Sequence, residues 1–322
     1  MRTKTIAYWN PFVPAEWIAA HGMRPRWLEP RSAAGRPRAG AARGVCPYAG
    51  AMVDTVLSGV EAAAVVATTT CDQMRHAVAL LEQRGQLPVF LMNVPRTWET
   101  AASRRLYREE LLRLGRFLVR LGGEEPSLEE LANAMLRSHG DREAGWLGQS
   151  ERSPRAPVET PAGARLRCAP ATRQCGAVPL ALVGGPLTDE DSSLFDLVER
   201  AGGCVVLDAT EGGERTLPAP FDPERTRTDP LEELVNAYFT IPDVFRRPNG
   251  RLYEWLGREI AAKGVRGILF RRYLWCDLWH AELHRLRSWS PVPVLDLDAV
   301  GEEDSALART VGRLEAFLEM LQ

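Results

Sequence analysis

Long apolar runs, a secretion signal and an excess of positive charge are all missing from this sequence. No apolar segment approaches the roughly 18 residues that a membrane-spanning helix needs, and the first residues, MRTKTIAYWNPFVPAEW, lack the features of a signal peptide. We therefore expect a cytoplasmic protein with no membrane partner. The 40 Lys and Arg residues, most of them Arg, are balanced by 42 Asp and Glu residues. Because this balance leaves no basic field, we expect no nucleic-acid partner.

Cysteine is sparse, and its spacing follows none of the compact metal-binding patterns. Six cysteines occur in 322 residues without a single C-x-x-C pair. In a cytosolic chain they are metal ligands, catalytic groups or core residues more often than disulfides. A nucleotide-binding loop of the G-x-x-x-x-G-K-[ST] type is also missing, and GGPLTDED at 184–191 is only a weak glycine-loop signal.

Strand and helix patterns alternate along the chain. VEAAAVVATTT at 60–70 reads as a strand, residues 72–85 read as a helix with Gly85 as its C-cap, and LPVFLMNVP reads as a second strand. Two amphipathic helices follow, and the second begins with a capping box formed by Ser127 and Glu130. The alternation starts again at VPLALVGGP and continues to a closing helix from about Ser305 to Leu321.

This order predicts an α/β protein with two flavodoxin- or Rossmann-like domains, each a doubly wound parallel sheet. We expect an N-terminal α/β domain with a helical extension over residues 1–155 and a C-terminal α/β domain over 177–322. The Pro-, Arg- and Gly-rich segment 156–176 has no periodicity and is predicted to be the linker. Ligands of such sheets bind beyond the carboxyl ends of the strands, which points to a site in the cleft between the domains.

Three cysteines share one kind of position. Cys71 and Cys276 each stand where a predicted strand meets a predicted helix, and Cys46 directly precedes Pro47, a residue favoured in the first turn of a helix. The unpaired N–H groups and the dipole at a helix start favour a thiolate, which is the form that binds metal. Position alone leaves two interpretations open: three separate buried cysteines, or three ligands that converge in the cleft.

Several segments resemble the 2-hydroxyacyl-CoA dehydratase D-component family, which is related to benzoyl-CoA reductase subunits and double-cubane cluster proteins. The matching segments are YWNPFVPAEWIAAHGMRP, VCPYAGAMVDTVLSG, VVATTTCDQMRHAVALL, LPVFLMNVPRTW, LWCDLWHAELHRL and ALARTVGRLEAFLEML. The resemblance spans almost the whole chain. It implies two flavodoxin-like domains that hold a 4Fe-4S cluster between them, with Cys46, Cys71 and Cys276 as the ligands.

The resemblance also implies an activity and partners. Three thiolates would leave one iron open, and the family reaction is a one-electron, ketyl-radical reductive dehydration of an acyl-CoA thioester, which makes the protein a lyase or a related acyl-CoA reductase subunit. The implied partners are an acyl-CoA substrate, a paralogous subunit in a heterodimer or a second copy in a homodimer, and an ATP-dependent iron–sulfur activator. Two alternatives stay open: a double-cubane reductase of small molecules, and a non-catalytic or electron-transfer subunit of a benzoyl-CoA reductase-like complex.

Other candidate groups have simpler explanations beside the functional one. Glu16 matches a P-x-E segment of the family and is a candidate catalytic acid or base, although it could equally be a carboxylate on a helix surface. His76 and His280 follow two of the cysteines by about one helical turn and could contact cluster ligands, or could be ordinary helix residues. Asp72 and Asp277 are predicted to stabilise helix starts.

The remaining cysteines and one loop complete the list of candidates. Cys204 begins a strand and is predicted to be a small core residue. Cys168 and Cys175 lie in the Arg-rich connection, where they could be solvent-exposed thiols or, with Cys204, ligands of a second cluster. The Arg-, Ala- and Gly-rich loop 31–44 could be a flexible surface segment or a lid over the cluster.

Overall fold

The computed structural model describes residues 3–30, 45–85, 87–147, 176–189, 191–299 and 304–322. Eight strands in these ranges form two parallel four-stranded sheets, one in each half of the chain. The first sheet contains β1 (Thr5–Tyr8), β2 (Arg24–Trp27), β3 (Ala64–Thr68) and β4 (Val89–Met92). The second contains β5 (Val178–Gly184), β6 (Gly203–Ala209), β7 (Gly267–Tyr273) and β8 (Val294–Ala299).

Both sheets have the same strand order. It is β2-β1-β3-β4 in the first sheet and β6-β5-β7-β8 in the second, and every paired strand is parallel to its neighbour. In each sheet the order reverses between the first and third strands, which is where a doubly wound sheet opens a crevice for ligands. The predicted α/β fold with two doubly wound sheets is therefore confirmed.

Helices connect and flank the strands of both sheets. Those of the first half are α1 (Ala15–Ala20), α2 (Pro47–Leu57), α3 (Asp72–Arg84), α4 (Ala101–Arg120) and α5 (Leu128–Leu147). Those of the second half are α6 (Ser192–Arg200), α7 (Pro223–Thr228), α8 (Pro230–Phe239), α9 (Gly250–Ala262), α10 (Asp277–Trp289) and α11 (Asp304–Leu321). None of the helices in the described ranges has both the length and the apolar character that a bilayer crossing requires.

Local sequence signals fix several helix ends. Gly85 ends α3 at φ 61°, in the left-handed region that glycine adopts at least cost. Before α5, the Ser127 backbone N–H donates to Glu130 Oε2 at 2.8 Å, and the Glu130 N–H donates to Ser127 Oγ at 3.2 Å. The predicted C-cap and capping box are both confirmed, because each depends only on residues close in sequence.

The first sheet buries both of its faces. Ile6 and Tyr8 of β1 face a core that includes α1, α4 and α5, whereas Ala7 and Trp9 point to the opposite face, where α2 and α3 pack. This alternation is the two-residue period of a strand. The core on the α2 and α3 side also contains Tyr273 from the end of β7, so the two domains share apolar contacts there.

Part of the second half of the sequence packs on the first domain. The core on the α4 and α5 face includes Phe221, Leu234 and Tyr238 from the segment that carries α7 and α8. At the rim, Arg108 Nε and Glu232 Oε1 form an ion pair at 2.8 Å between α4 and α8. The predicted linker lies outside the described residues except for its last residue, Gly176.

Candidate metal centre and adjoining cavity

The three predicted cysteine ligands all stand at helix starts. Cys46 is the N-cap residue of α2, Cys71 that of α3 and Cys276 that of α10. Cys71 follows β3 and Cys276 follows β7, which are equivalent strands of the two sheets, each beside the point where the strand order reverses. The repeated topology of the two domains thus places one thiol at the same position in each.

The three thiols belong to one apolar environment. Cys46 is buried in the core on the α2 and α3 face, and both Cys71 and Cys276 pack against that core. Through like charge, Cys46 raises the pKa of both Cys71 and Cys276, and Cys71 also raises that of Cys276. The residues that sequence reasoning selected from distant parts of the chain therefore come within electrostatic range of one another.

Burial decides the protonation of these thiols. It raises the pKa of Cys71 and of Cys276 to about 12, with smaller contributions from the neighbouring acidic groups. The Met74 backbone N–H donates to Cys71 Sγ at 3.4 Å and works in the opposite direction. The N–H groups at the helix starts lower the pKa of both thiols, as expected, but desolvation outweighs them.

Three cysteine thiols are the donor type that iron–sulfur clusters use. Within the described residues, no three His, Cys, Asp or Glu side chains lie close enough to hold one metal ion. Thiolates on different irons of a cluster stand farther apart, roughly 6–7 Å for Fe–S bonds of about 2.3 Å. Thiols whose pKa is raised also need a nearby positive charge before they ionise at neutral pH, and a bound metal cluster would supply that charge as it displaces the thiol protons.

A cavity lies between the carboxyl ends of the two sheets, and its described lining includes none of the three cysteines. It has about 530 Å³ of empty space, part of which is open to solvent. Tyr48, two residues after Cys46, forms one side, and Glu211, just beyond β6, forms another. The described lining residues are Trp27, Glu29, Pro30, Tyr48, Pro186, Leu187, Asp208, Thr210, Glu211 and Gly212.

Asn10 connects this cavity to the cysteine-bearing loops. Its Nδ2 donates to Glu211 Oε1 at 3.0 Å and lies 3.3 Å from Thr70 Oγ1. Thr70 directly precedes Cys71, and its hydroxyl is also 3.0 Å from that of Thr68. Asn10 Oδ1 accepts a hydrogen bond from the Phe12 backbone N–H, which fixes the amide in this orientation.

Glu211 has a strongly perturbed carboxyl group. Burial and, to a smaller extent, the nearby carboxylate of Asp243 raise its pKa to about 8. Arg215 and the hydrogen bond from Asn10 oppose this shift but do not cancel it. At neutral pH the carboxyl group is therefore mainly protonated and can donate as well as accept a hydrogen bond.

A buried polar network fixes the opposite wall of the cleft. Asp191 accepts hydrogen bonds from the Tyr273 hydroxyl, from the Thr188 backbone N–H at 2.8 Å and from Arg271. The Tyr273 ring lies 6.5 Å from that of Tyr48 across the domain boundary. This network holds the loop after β5 that carries the cavity residues Pro186 and Leu187.

Glu16 lies elsewhere in the fold. It is 1% exposed among α1, α5 and α8, and its carboxylate accepts hydrogen bonds from Ser138 Oγ at 2.7 Å and from the Tyr238 hydroxyl at 2.6 Å. These helices pack on the face of the first sheet opposite α2 and α3. The described contacts give Glu16 a structural role, and its catalytic role stays a prediction.

The remaining polar candidates lie in the first two turns of α3 and α10. His280 Nδ1 lies 3.0 Å from Arg272 Nη1, while His76 is exposed on α3. Asp72 and Asp277 occupy the first turns of α3 and α10, as expected of residues that favour helix starts.

Of the three candidates for a second cluster, Cys204 alone lies in the described part of the chain. Cys204 is 2% exposed within the core of the second domain, and its sulfur belongs to a disulfide. The prediction that Cys204 is buried in the core is confirmed, but the disulfide was not expected. Cys168, Cys175 and the loop 31–44 lie outside the described residues.

Sequence reasoning missed Asn10 and Glu211. Each stands just beyond the carboxyl end of a strand, the position that already selected the cysteines. The rule could have found Glu211, because it stands two residues after the end of the predicted strand CVVLDA. It could not have found Asn10, because the short strand β1 was not recognised.

Comparison with known proteins identifies a family. The family model of the 2-hydroxyglutaryl-CoA dehydratase D-component matches residues 10–160 and 163–321. No curated protein sequence matches the chain.

Solved structures show only weak likeness. The laminin-binding protein Lbp of Streptococcus pyogenes has 12% identity and a TM-score of 0.25, over 100% of this chain and 98% of its own. FpvC from Pseudomonas aeruginosa, solved in complex with Mn²⁺, has 10% identity and a TM-score of 0.28, over 100% of both chains. Neither likeness supports an argument about this protein, whereas the family match covers nearly all of it. The chain belongs to the 2-hydroxyglutaryl-CoA dehydratase D-component family.

Proposed function

We propose that this protein is the iron–sulfur subunit of a 2-hydroxyacyl-CoA dehydratase-like enzyme and that Cys46, Cys71 and Cys276 hold its 4Fe-4S cluster. The observation that carries the proposal is the common position of the three thiols, at helix starts on one shared core between two domains. The reaction is a one-electron, ketyl-radical dehydration of an acyl-CoA thioester. When bound, the cluster would supply an electron and a Lewis-acidic iron that has no protein ligand.

The chain itself would contribute orientation and exclusion of water. Gln73 Oε1 accepts a hydrogen bond from the Cys46 backbone N–H at 2.9 Å and ties the starts of α2 and α3 together. The Trp9 indole N–H contacts Met74 Sδ at 3.1 Å behind Cys71. Apolar side chains pack against the three thiols, and we propose that a substrate approaches them from the direction of the cavity.

Partners follow from the family and from the chemistry. The family description, a D-component of a CoA-ester dehydratase, implies an acyl-CoA substrate and a partner component. We propose that the partner component is a paralogous subunit or a second copy of this chain. We also propose that an ATP-dependent iron–sulfur activator delivers the electron, since reduction of a thioester needs a low-potential donor.

Iron and sulfide analysis of the anaerobically reconstituted protein tests the cluster assignment. We expect about four irons and four sulfides per chain with a visible charge-transfer absorbance, as one 4Fe-4S cluster requires. Cys46→Ser, Cys71→Ser and Cys276→Ser should each lower the iron content and weaken that absorbance.

Cys204→Ser is the control, because Cys204 lies in the core of the second domain and its sulfur belongs to a disulfide rather than to the proposed cluster. It should retain the iron content of the wild type after any loss of stability is allowed for. If all three ligand variants kept full iron, the assignment would be wrong. If Cys204→Ser lost iron as well, a second cluster of the double-cubane type would become the better explanation.

A further inference from the structure

The cavity contains two polar groups whose hydrogen-bonding capacity is not used by described residues. Tyr48 is 4% exposed, and its hydroxyl has no hydrogen bond to any described residue. Glu211 uses Oε1 to accept from Asn10, while its Oε2 accepts no hydrogen bond from the described part of the chain. Both side chains line the cavity, one from each domain, so each can form a hydrogen bond with a molecule bound there.

We propose that Tyr48 and Glu211 bind the 2-hydroxyacyl end of the substrate, with Tyr48 donating to the thioester carbonyl oxygen and Glu211 contacting the 2-hydroxyl group. This inference rests on the proposed function and names the residues that recognise the substrate. A 2-hydroxyacyl group presents its carbonyl and hydroxyl on adjacent carbons. A hydroxyl donor in one domain and a carboxyl group in the other match those two oxygens.

Asn10 prepares Glu211 for this contact. It holds Oε1 from the first domain at 3.0 Å, so Oε2 is the oxygen available to a ligand. Burial raises the pKa of Glu211 to about 8, so the carboxyl group carries a proton at neutral pH and can pair with a hydroxyl as donor or acceptor.

The apolar lining suits the acyl chain. Trp27, Pro30 and Leu187 supply carbon surface from both domains. A small pocket with apolar walls and a few polar groups is typical of sites that orient a ligand through selected hydrogen bonds. We therefore expect the affinity for a thioester to depend more on its hydroxyl and carbonyl groups than on the length of its acyl chain.

Two thioesters that differ by one hydroxyl group test the assignment. The affinities of the anaerobically purified protein for 2-hydroxybutanoyl-CoA and for butanoyl-CoA are measured by titration calorimetry. We expect the wild type to prefer the hydroxylated thioester roughly tenfold, the size of one well-placed hydrogen bond. Glu211→Met should abolish this preference and leave binding of butanoyl-CoA within about twofold of the wild type, whereas Tyr48→Phe should weaken binding of both thioesters by roughly fivefold.

Glu254→Met is the matched control, because Glu254 is an exposed carboxylate on α9 outside the cavity. It should keep the preference. The assignment is overturned if the wild type shows no preference for the hydroxylated thioester, if Glu211→Met retains that preference, or if Tyr48→Phe binds both thioesters as the wild type does. The iron content of the same samples is measured as well, so that this result can be separated from the cluster assignment. A protein without iron would contradict the assignment of the three cysteines as ligands, but its preference between the two thioesters could still be measured.

Discussion

Asn10 Nδ2 and Glu211 Oε1 form a hydrogen bond of 3.0 Å that joins the two domains. Asn10 follows β1 and Glu211 follows β6, so the carboxyl ends of the two sheets meet at this contact. The same amide lies 3.3 Å from the hydroxyl of Thr70, the residue before Cys71. The Asn10 side chain thus contacts both a residue that lines the cavity and the residue that precedes a proposed cluster ligand.

Removal of this amide should weaken the contact between the domains. Asn10→Ala deprives Glu211, Thr70 and the Phe12 N–H of a partner, and we expect a loss of about 1–3 kcal/mol in the free energy of unfolding. Urea denaturation measures it. Asn236→Ala is the control, since Asn236 accepts from Arg104 in a more exposed position and should cost less. Equal effects of the two substitutions would show that the Asn10 contacts have no special importance.

Glu211 should make the protein less stable as the pH rises. Its pKa is raised to about 8 in the folded state, above the ordinary value of 4.5, so the folded protein holds the proton more tightly than the unfolded chain. The contribution is therefore fully present below about pH 4.5 and is lost as the pH rises through 8. Asp243 adds to the shift, while Arg215 and Asn10 reduce it.

Glu211→Gln isolates this effect, because its carboxamide oxygen can still accept from Asn10. The difference in unfolding free energy between the variant and the wild type should change between pH 5 and pH 9 in favour of the variant, by a few kcal/mol at most. Chemical denaturation across that range provides the measurement. A difference that does not vary with pH would mean that the Glu211 carboxyl has an ordinary pKa.

Glu16→Ala should affect stability rather than cluster content. It leaves the hydroxyl groups of Ser138 and Tyr238 without their buried acceptor, at a cost of about 2–4 kcal/mol. We expect the iron content per folded chain to equal that of the wild type. Normal stability together with a selective loss of turnover would instead support the catalytic role suggested by the sequence.

Arg246 should be important for packing of the first domain. Its guanidinium is fully buried and donates to the carbonyl oxygens of Pro95 at 2.5 Å and Phe239 at 3.0 Å, amid aromatic rings. The rings within 6 Å are Phe12, Trp98, Phe239 and Phe245. Arg246→Met should lower the free energy of unfolding by about 1–3 kcal/mol.

Arg251→Met is the matched control for Arg246, because Arg251 stacks on Trp98 at 4.4 Å but is exposed. We expect it to cost under about 1 kcal/mol, as for a solvent-screened cation–π contact. A thermal shift of the same size in both variants would argue against a special role for the buried guanidinium.

The sequence predicted those parts of the fold that local patterns determine. The strand before Cys71, the helix that ends at Gly85 and the capping box at Ser127 were all found where expected, since each depends on neighbouring residues. The four-residue strands β1 and β2 were missed, because they are too short to show a clear period. Packing of α8 against α4 was also missed, since no local pattern encodes contacts between distant segments.

The candidate site was predictable only in part. The positions of Cys46, Cys71 and Cys276 at helix starts followed from the sequence. Their raised pKa did not, because desolvation depends on which distant side chains cover the thiols. The pairing of Asn10 with Glu211 depends on how two domains meet, so it required three-dimensional information.

Iron-edge anomalous diffraction from anaerobically grown crystals of the reconstituted protein tests the central claim most directly. The account predicts one compact set of iron peaks in the cleft between the domains, bounded by the Sγ atoms of Cys46, Cys71 and Cys276, with neighbouring sulfurs roughly 6–7 Å apart. It also predicts that the peaks adjoin the cavity lined by Tyr48 and Glu211. Iron located elsewhere, or three sulfurs that face separate regions of the molecule, would contradict it.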